Sequence, residues 1–327
     1  MESRKKDHIK LAEQAQQFGK KFQGSYLYEP LLVSNSLKEI SEQTFLGKRI
    51  KLPFWVSSMT GGTQNARLIN KNLALACKEF GMGMGLGSCR AILDSNRRFE
   101  DFDIRKYIGN DLPLMANLGI AQIEQLLENK AADKISKMLT SLKADGLFVH
   151  VNPLQELLQP EGDIYKKPPV DTIEELCELL DFPIMVKEVG QGMGPKSLHA
   201  LLNTKISGIE FGALGGTNFS MIEMLRDQQG AMNHMQEWAA IGHSAEEMID
   251  FINNLDASLL KEKEIIISGG LSPLNGYLML NKIKYPAIIG MAYAFLRSAN
   301  GPYQNLKTSV EFMKKSFQMA HQFLHTE

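Results

Sequence analysis

From Pro53 onward the chain repeats one unit: a short apolar run, a glycine-rich or polar turn, then a stretch with apolar residues every three or four positions. The runs are PFWVSSM (53–59), MGMGLG (82–87), LPLMANL (112–118), DGLFVHV (145–151), PIMVK (183–187), SGIEFG (207–212), EIIISGG (264–270) and AIIGMA (287–292). Helical periodicity fills the segments 65–80, 120–142, 171–180 and 244–255 between them. Near-continuous apolar strands alternating with amphipathic helices mean a parallel sheet covered on both faces. About eight such units in about 275 residues is the arithmetic of a (β/α)8 TIM barrel. A doubly wound open sheet competes, but its G-x-G-x-x-G fingerprint is missing. The glycines of GMGMGLG (81–87) alternate strictly, which suits a strand with one bare face against a flat ligand.

Upstream of the repeat, residues 1–50 read as an N-terminal helical and irregular extension docked on a barrel spanning 51–327. Residues 3–18 look helical and begin with the basic cluster Arg4, Lys5, Lys6. That cluster is either a solvated helix start or a phosphate-gripping arm. A charged share of 22% and a net charge of −1 show no basic excess for nucleic acid or a membrane surface. The charged N-terminus is no secretory signal, and no apolar run is long enough to span a bilayer, so a cytoplasmic protein is expected. Cys77, Cys89 and Cys177 lack metal-ligand spacing; Cys77 and Cys177 read as small core residues.

A barrel brings the carboxyl ends of its strands to one mouth. The polar residues placed there are Ser57, Ser58, Met59 and Thr60; Ser88 and Arg90; Asn117; His150, Asn152, Gln155 and Glu156; Lys187 and Glu188. The late strands offer Gly215, Gly216, Thr217, Ser268, Gly269, Gly270, Gly290 and Ala292, mostly bare backbone suited to phosphate. Lys187 ends an apolar run and has three competing roles: a Schiff base, a pair with Glu188 or Glu210, or a cation stabilising a reduced flavin at its N1 edge. Gln155 is neither acid nor base at ordinary pH and would orient a substrate or relay a hydrogen bond. Glu156 is a hard oxygen donor suited to magnesium on a diphosphate. His150 and Asn152 share a strand face by the two-residue period.

The motifs RKKDHI, SSMTGGT, GLGSCRA, ANLGIAQ, HVNPLQE with QPEGD, VKEVGQG, GGTNFSMIE and SGGLSPLNG run along nearly the whole chain. In this order they resemble the type 2 isopentenyl-diphosphate delta-isomerases, the FMN-dependent isomerases of isoprenoid biosynthesis. The resemblance implies a (β/α)8 barrel assembled as a tetramer or octamer. It also implies interconversion of isopentenyl and dimethylallyl diphosphate by an allylic proton shift, with reduced FMN, Mg2+ and NADPH as reductant. Carried over by motif, Ser57, Ser58, Met59, Thr60, Ser88, Asn117, Lys187, Thr217, Gly269, Gly270, Leu271, Met291 and Ala292 would hold FMN. Arg4, Lys5, Ser88, Cys89, Arg90, His150, Asn152 and Gln155 would line the substrate site, with Glu156 on the metal. Gln155, His150 and Lys187 are the expected catalytic residues.

The chain departs from the family pattern in three places. Cys89 stands where the family usually has glutamine. SGGLSPLNG replaces SGGIRTG and lacks the arginine that grips the FMN phosphate, which implies either a lower affinity for FMN or a substitute basic residue. GHSA (242–245) replaces a GIPT-like segment. A flavin oxidoreductase of the hydroxy-acid oxidase kind would share the barrel and the flavin site, but would need a catalytic histidine and an arginine pair that the late strands do not supply. A non-catalytic flavin- or phosphate-binding barrel is the third reading.

Overall fold

The structure is a computed structural model that describes residues 26–59, 65–227 and 231–325, together with Leu11. Each apolar run contains a strand: β1 (Phe54–Val56), β2 (Gly83–Gly85), β3 (Leu114–Gly119), β4 (Gly146–His150), β5 (Ile184–Lys187), β6 (Gly208–Glu210), β7 (Glu264–Ser268) and β8 (Ile288–Met291). All are parallel and pair in chain order, with β8 returning to β1, so the sheet closes into an eight-stranded barrel. Closure removes the unpaired edges that an open sheet must protect. In register, His150 stands opposite Lys187 and Lys187 opposite Glu210, so the last residues of β4, β5 and β6 lie side by side at the carboxyl end.

Interior packing explains the alternating glycines of β2, and corrects the expectation of a flat ligand there. A Cβ on Gly83 would lie 2.3 Å from a Trp55 ring carbon, and one on Gly85 would lie 2.6 Å from Ser58 Oγ and 3.2 Å from the Phe148 ring. The flat partners are side chains of the barrel itself, with the Trp55 and Phe148 rings 5.9 Å apart.

The covering helices follow their apolar stripes. Ala66–Phe80 buries Ile69, Leu73, Ala76 and Cys77 at helical spacing and stops at Gly81, whose left-handed φ of 68° closes the end. The amphipathic stretch 120–142 is two helices, Ile120–Glu128 and Asp133–Leu142, broken where Lys130 takes a φ of 53°. Ser244 with Glu247 and Ser272 with Asn275 form capping boxes that start Ala245–Asn253 and Pro273–Lys282.

Residues 26–50 lie against the barrel. The hairpin Gln43–Phe45 and Lys48–Ile50 turns through Leu46, whose N–H donates to Glu264 Oε1 at 2.7 Å. Leu27–Tyr28 pairs with Leu324–His325, and Gln322 donates to Ser34 O at 3.0 Å. The expected helix over 3–18, apart from Leu11, and the residues Arg4, Lys5 and Thr60 fall outside the described residues. Among the described residues no helix is long and apolar enough to cross a membrane.

At the opposite end of the barrel one carboxylate ties several elements together. Asp145, just before β4, accepts from Lys48 Nζ at 2.6 Å, Arg105 Nη2 at 2.8 Å and the Leu114 N–H at 2.8 Å. Arg105 is 5% exposed, so losing its carboxylate strands a buried charge. Asp145→Ala is expected to destabilise the fold by about 3 kcal/mol, read as a lower urea midpoint. Asp94→Ala, which removes an exposed pair with Lys134, should leave that midpoint where it is.

Candidate active site

A cavity of about 600 Å³ opens at the carboxyl end of the barrel. Its walls include Ser57 and Ser58 after β1, Lys187 of β5, Thr217 after β6, Gly269, Gly270 and Leu271 after β7, and Met291 and Ala292 at the end of β8. The structure thus brings together most of the residues expected to hold a cofactor. Met59 instead packs against the core, Ser88 is exposed at the surface, and Asn117 faces His150.

Backbone dominates the late-strand side of this cavity. A Cβ on Gly270 would lie 2.1 Å from Gly215 O, and one on Gly216 would lie 2.6 Å from the Gly270 nitrogen, so the two glycine loops touch main chain to main chain. Gly270 also has a φ of 69°, which excludes most other residues. On the β1 side the hydroxyls of Ser57 and Ser58 are buried without a hydrogen-bond partner among the described residues. Buried hydroxyls normally find partners, so these two suit a bound polar group.

Lys187 and Glu188 do not pair through their side chains. Lys187 Nζ donates to the Glu188 main-chain oxygen at 3.1 Å. The Glu188 Oε2 accepts from the N–H groups of Val189 (2.6 Å), Gly190 (2.7 Å), Gln191 (2.5 Å) and Gly192 (3.0 Å), so this carboxylate folds the loop after β5. Burial pushes the Glu188 carboxyl upward, with the N–H donors pulling against it.

Beside the cavity lies a second cluster, built on β4 and the helix Pro153–Leu158. His150 ends β4 and its Nδ1 is 2.7 Å from Asn117 Oδ1. Burial, and then the nearby Lys187 charge, lower the imidazole to about 3, so it is neutral near pH 7. Asn152 is not on the strand as its spacing suggested. It sits at the N-cap of the following helix with φ −144° and ψ 51°, because Pro153 opens that helix. Its Nδ2 donates to Gln155 Oε1 and Glu156 Oε1, both at 3.0 Å. Gln155 Nε2 reaches Glu223 Oε1 at 3.3 Å. The other Glu156 oxygen accepts from the Asp163 N–H at 2.8 Å, and the Asp163 carboxylate pairs with Arg90 at 2.7 Å. Cys89 is fully buried; its thiol, pushed up to about 12 by burial, is turned to Gly87 O.

No family model matches the chain. Curated relatives do. The isopentenyl-diphosphate delta-isomerase of Nostoc sp. is 32% identical over 307 residues, covering 91% of this chain and 84% of its own. That of Rickettsia africae is 32% identical over 293 residues (86% and 82%), and that of Rickettsia peacockii 34% over 280 (82% and 78%). The chain belongs to the isopentenyl-diphosphate delta-isomerase family. Among solved structures, a flavocytochrome b2 with sulfite bound has a TM-score of 0.62 at 17% identity, covering 91% of this chain and 72% of that one. A mandelate oxidase with a monooxide FMN adduct has a TM-score of 0.58 at 12% identity (93% and 87%). At such identities the likeness establishes the barrel fold alone.

For this family member, sequence reasoning missed Glu223. The residue lies inside the quoted GGTNFSMIE motif, but no local signal links it to Gln155, 68 positions earlier. It is 5% exposed, with its second oxygen on Arg226. Arg297 was missed as well: it lines the cavity from the helix after β8 and has no ion pair or hydrogen bond among the described residues.

The depressed His150 gives a pH signature. The native state favours the neutral ring, so below pH 6.5, the ordinary value, the unfolded chain binds the extra proton. His150 should therefore lower stability as the pH falls from 6.5 toward about 3. Comparing unfolding of His150→Asn with the parent chain across that window should show this loss missing in the variant. Identical pH profiles would mean that the ring titrates normally.

Proposed function

We propose that the chain interconverts isopentenyl and dimethylallyl diphosphate by an allylic proton shift, with reduced FMN and magnesium, in isoprenoid biosynthesis. One observation carries this reading: His150, Asn152, Gln155 and Glu156 gather at the same mouth as the glycine-lined cavity, in a chain 32–34% identical to isomerases of that name. NADPH as reductant, a cytoplasmic location, a tetramer or octamer, and an N-terminal extension over 1–50 closing on a barrel over 51–327 belong to the same proposal.

The residues fit the cofactor. Partnerless hydroxyls at Ser57 and Ser58, a Lys187 ammonium with donors to spare and a backbone-walled end would hold the ring and phosphate of FMN. When bound, reduced FMN supplies a proton-exchanging ring position and an electron-rich face beside the alkene. The metal fits in a restricted way. Among the described residues no cluster of three or more His, Cys, Asp or Glu side chains exists to cage an ion. Glu156 would thus be a lone carboxylate ligand, as suits magnesium that arrives on diphosphate oxygens and keeps its waters.

The reaction adds a proton at the terminal alkene carbon and removes one from the carbon two positions away, with no net redox change. Gln155 cannot be the acid or base itself. Its amide is held at both ends, the oxygen by Asn152 and the nitrogen against Glu223, so it orients the alkene and connects it to a titratable carboxyl. Neutral His150 donates or accepts without adding charge beside the diphosphate. Lys187 stabilises negative charge on the ring edge. Arg90 and Asp163 fix the loop over the substrate end.

Purified protein should convert labelled isopentenyl diphosphate only with FMN, magnesium and a reductant, while consuming far less NADPH than product formed. Stoichiometric consumption would identify an oxidoreductase instead. Gln155→Ala is expected to lower kcat by about a hundredfold or more with flavin retained, whereas Lys187→Ala should release flavin. The reverse pattern would exchange their roles.

Arg297 takes the place of the arginine missing from the SGGLSPLNG loop, as the cation for the FMN phosphate. Arg297→Ala should weaken FMN by about ten- to a hundredfold, the scale of a charge-assisted hydrogen bond, and leave riboflavin binding unchanged. Equal losses for both flavins, or none, would remove this role.

A further inference from the structure

The cavity contains a buried carboxyl group that the mechanism above leaves idle. Glu210 ends β6, lines the cavity, is 1% exposed, and has no hydrogen-bond partner for its Oε2 among the described residues. Its in-register neighbours are Lys187 on β5 and Ile266 on β7. Leaving such an acceptor unsatisfied costs stability, and an apolar residue would serve a purely structural barrel position better. Glu188, one residue beyond Lys187, shows the contrast: four backbone N–H groups satisfy it.

Glu210 and Lys187 together form a donor–acceptor pattern. The Lys187 ammonium has three donors and uses one on Glu188 O. Adjacent parallel strands lie roughly 4.8 Å apart, so an unpaired acceptor and an available cationic donor stand side by side in the cavity wall. The complementary ligand edge presents an N–H next to a carbonyl. The imide edge of a flavin's pyrimidine ring is such an edge, with N3–H flanked by two carbonyls.

We propose that Glu210 accepts the N3–H of the bound flavin while Lys187 donates to the adjacent C2 carbonyl, making Glu210 a specificity-determining residue for the ring. This inference rests on the flavin reading of the cavity. It differs from the phosphate role of Arg297, because it concerns the ring and must act alike on FMN and riboflavin.

The test uses the full chain freed of bound flavin and titrated, by flavin fluorescence, with FMN and with N3-methyl-FMN, which lacks the N–H. The parent chain should bind the methylated flavin about ten- to a hundredfold more weakly. In Glu210→Ala, FMN itself should weaken and the discrimination should shrink to within about threefold. Full discrimination in the variant, or none in the parent chain, would overturn the proposal. A parent chain that binds no FMN would overturn the flavin reading and this inference with it. Should Glu210→Ala not fold, the near-isosteric Glu210→Gln carries the test through the N3 proton resonance of 15N-labelled FMN. That signal should lie downfield in the parent protein and move upfield in the variant, and an unmoved signal would sink the idea.

Discussion

Closure of the parallel sheet is the constraint from which the rest of this structure follows. Once β8 pairs with β1, every strand has two neighbours and its middle must be apolar, since the interior is filled by side chains such as Trp55 and Phe148. Polar groups are therefore pushed to the strand ends. The two ends use them differently. At the amino end Asp145 gathers Lys48, Arg105 and the Leu114 N–H into a closed network that holds the hairpin and β3 in place. At the carboxyl end His150, Lys187 and Glu210 stand next to one another with part of their hydrogen-bonding capacity open.

That difference in satisfaction separates structural from functional polarity. Glu188 and Glu210 are both buried and both line the cavity. Glu188 accepts four main-chain donors and thereby defines the loop 188–192, so its chemistry is complete without a ligand. Ser57, Ser58 and Glu210 have buried oxygens with nothing to bond among the described residues. A fold under no demand to bind would replace such groups with apolar ones of similar size. Other unsatisfied buried atoms lie elsewhere, on Gln43, Trp55, Asn152, Tyr165 and Gln322, but these three oxygens share one cavity, where a single bound group could reach them.

Much of this was legible in the chain, and the misses share a cause. All eight strands coincide with apolar runs visible at a glance, β3 ending one residue past its run, because a doubly covered parallel strand leaves a continuous apolar trace. Their carboxyl ends then located Ser57, Ser58, Lys187, Gly269 and Ala292 by topology alone. Contacts between distant segments left no such trace. Glu223 meets Gln155 only because two helices, Pro153–Leu158 after β4 and Phe219–Arg226 after β6, meet at the same mouth. The glycines of β2 make room for Trp55 and Phe148, which a one-dimensional pattern cannot distinguish from room for a ligand. Ser272 and Pro273, read as a loop that had lost an arginine, are the cap and first turn of a helix. Beside Lys187, a second cation lining the cavity is Arg297, one helix later.

The mouth also divides by its relation to other barrels. Flavocytochrome b2 and mandelate oxidase share the fold at 17% and 12% identity, and fold likeness does not carry an activity across that distance. Among the described residues lining this cavity there is no histidine and the only arginine is Arg297. The distinguishing residues stand on the other side of the mouth, in Arg90 after β2 and in the β4 segment from His150 to Asp163. Glycine loops and a lysine make a cavity that many chemistries can share. On that other side a neutral histidine is held by Asn117, a glutamine is held at both ends by Asn152 and Glu223, and a carboxylate stands beside it. This side of the mouth therefore offers side chains that orient and exchange hydrogen bonds, where the cavity's late-strand wall offers mainly backbone.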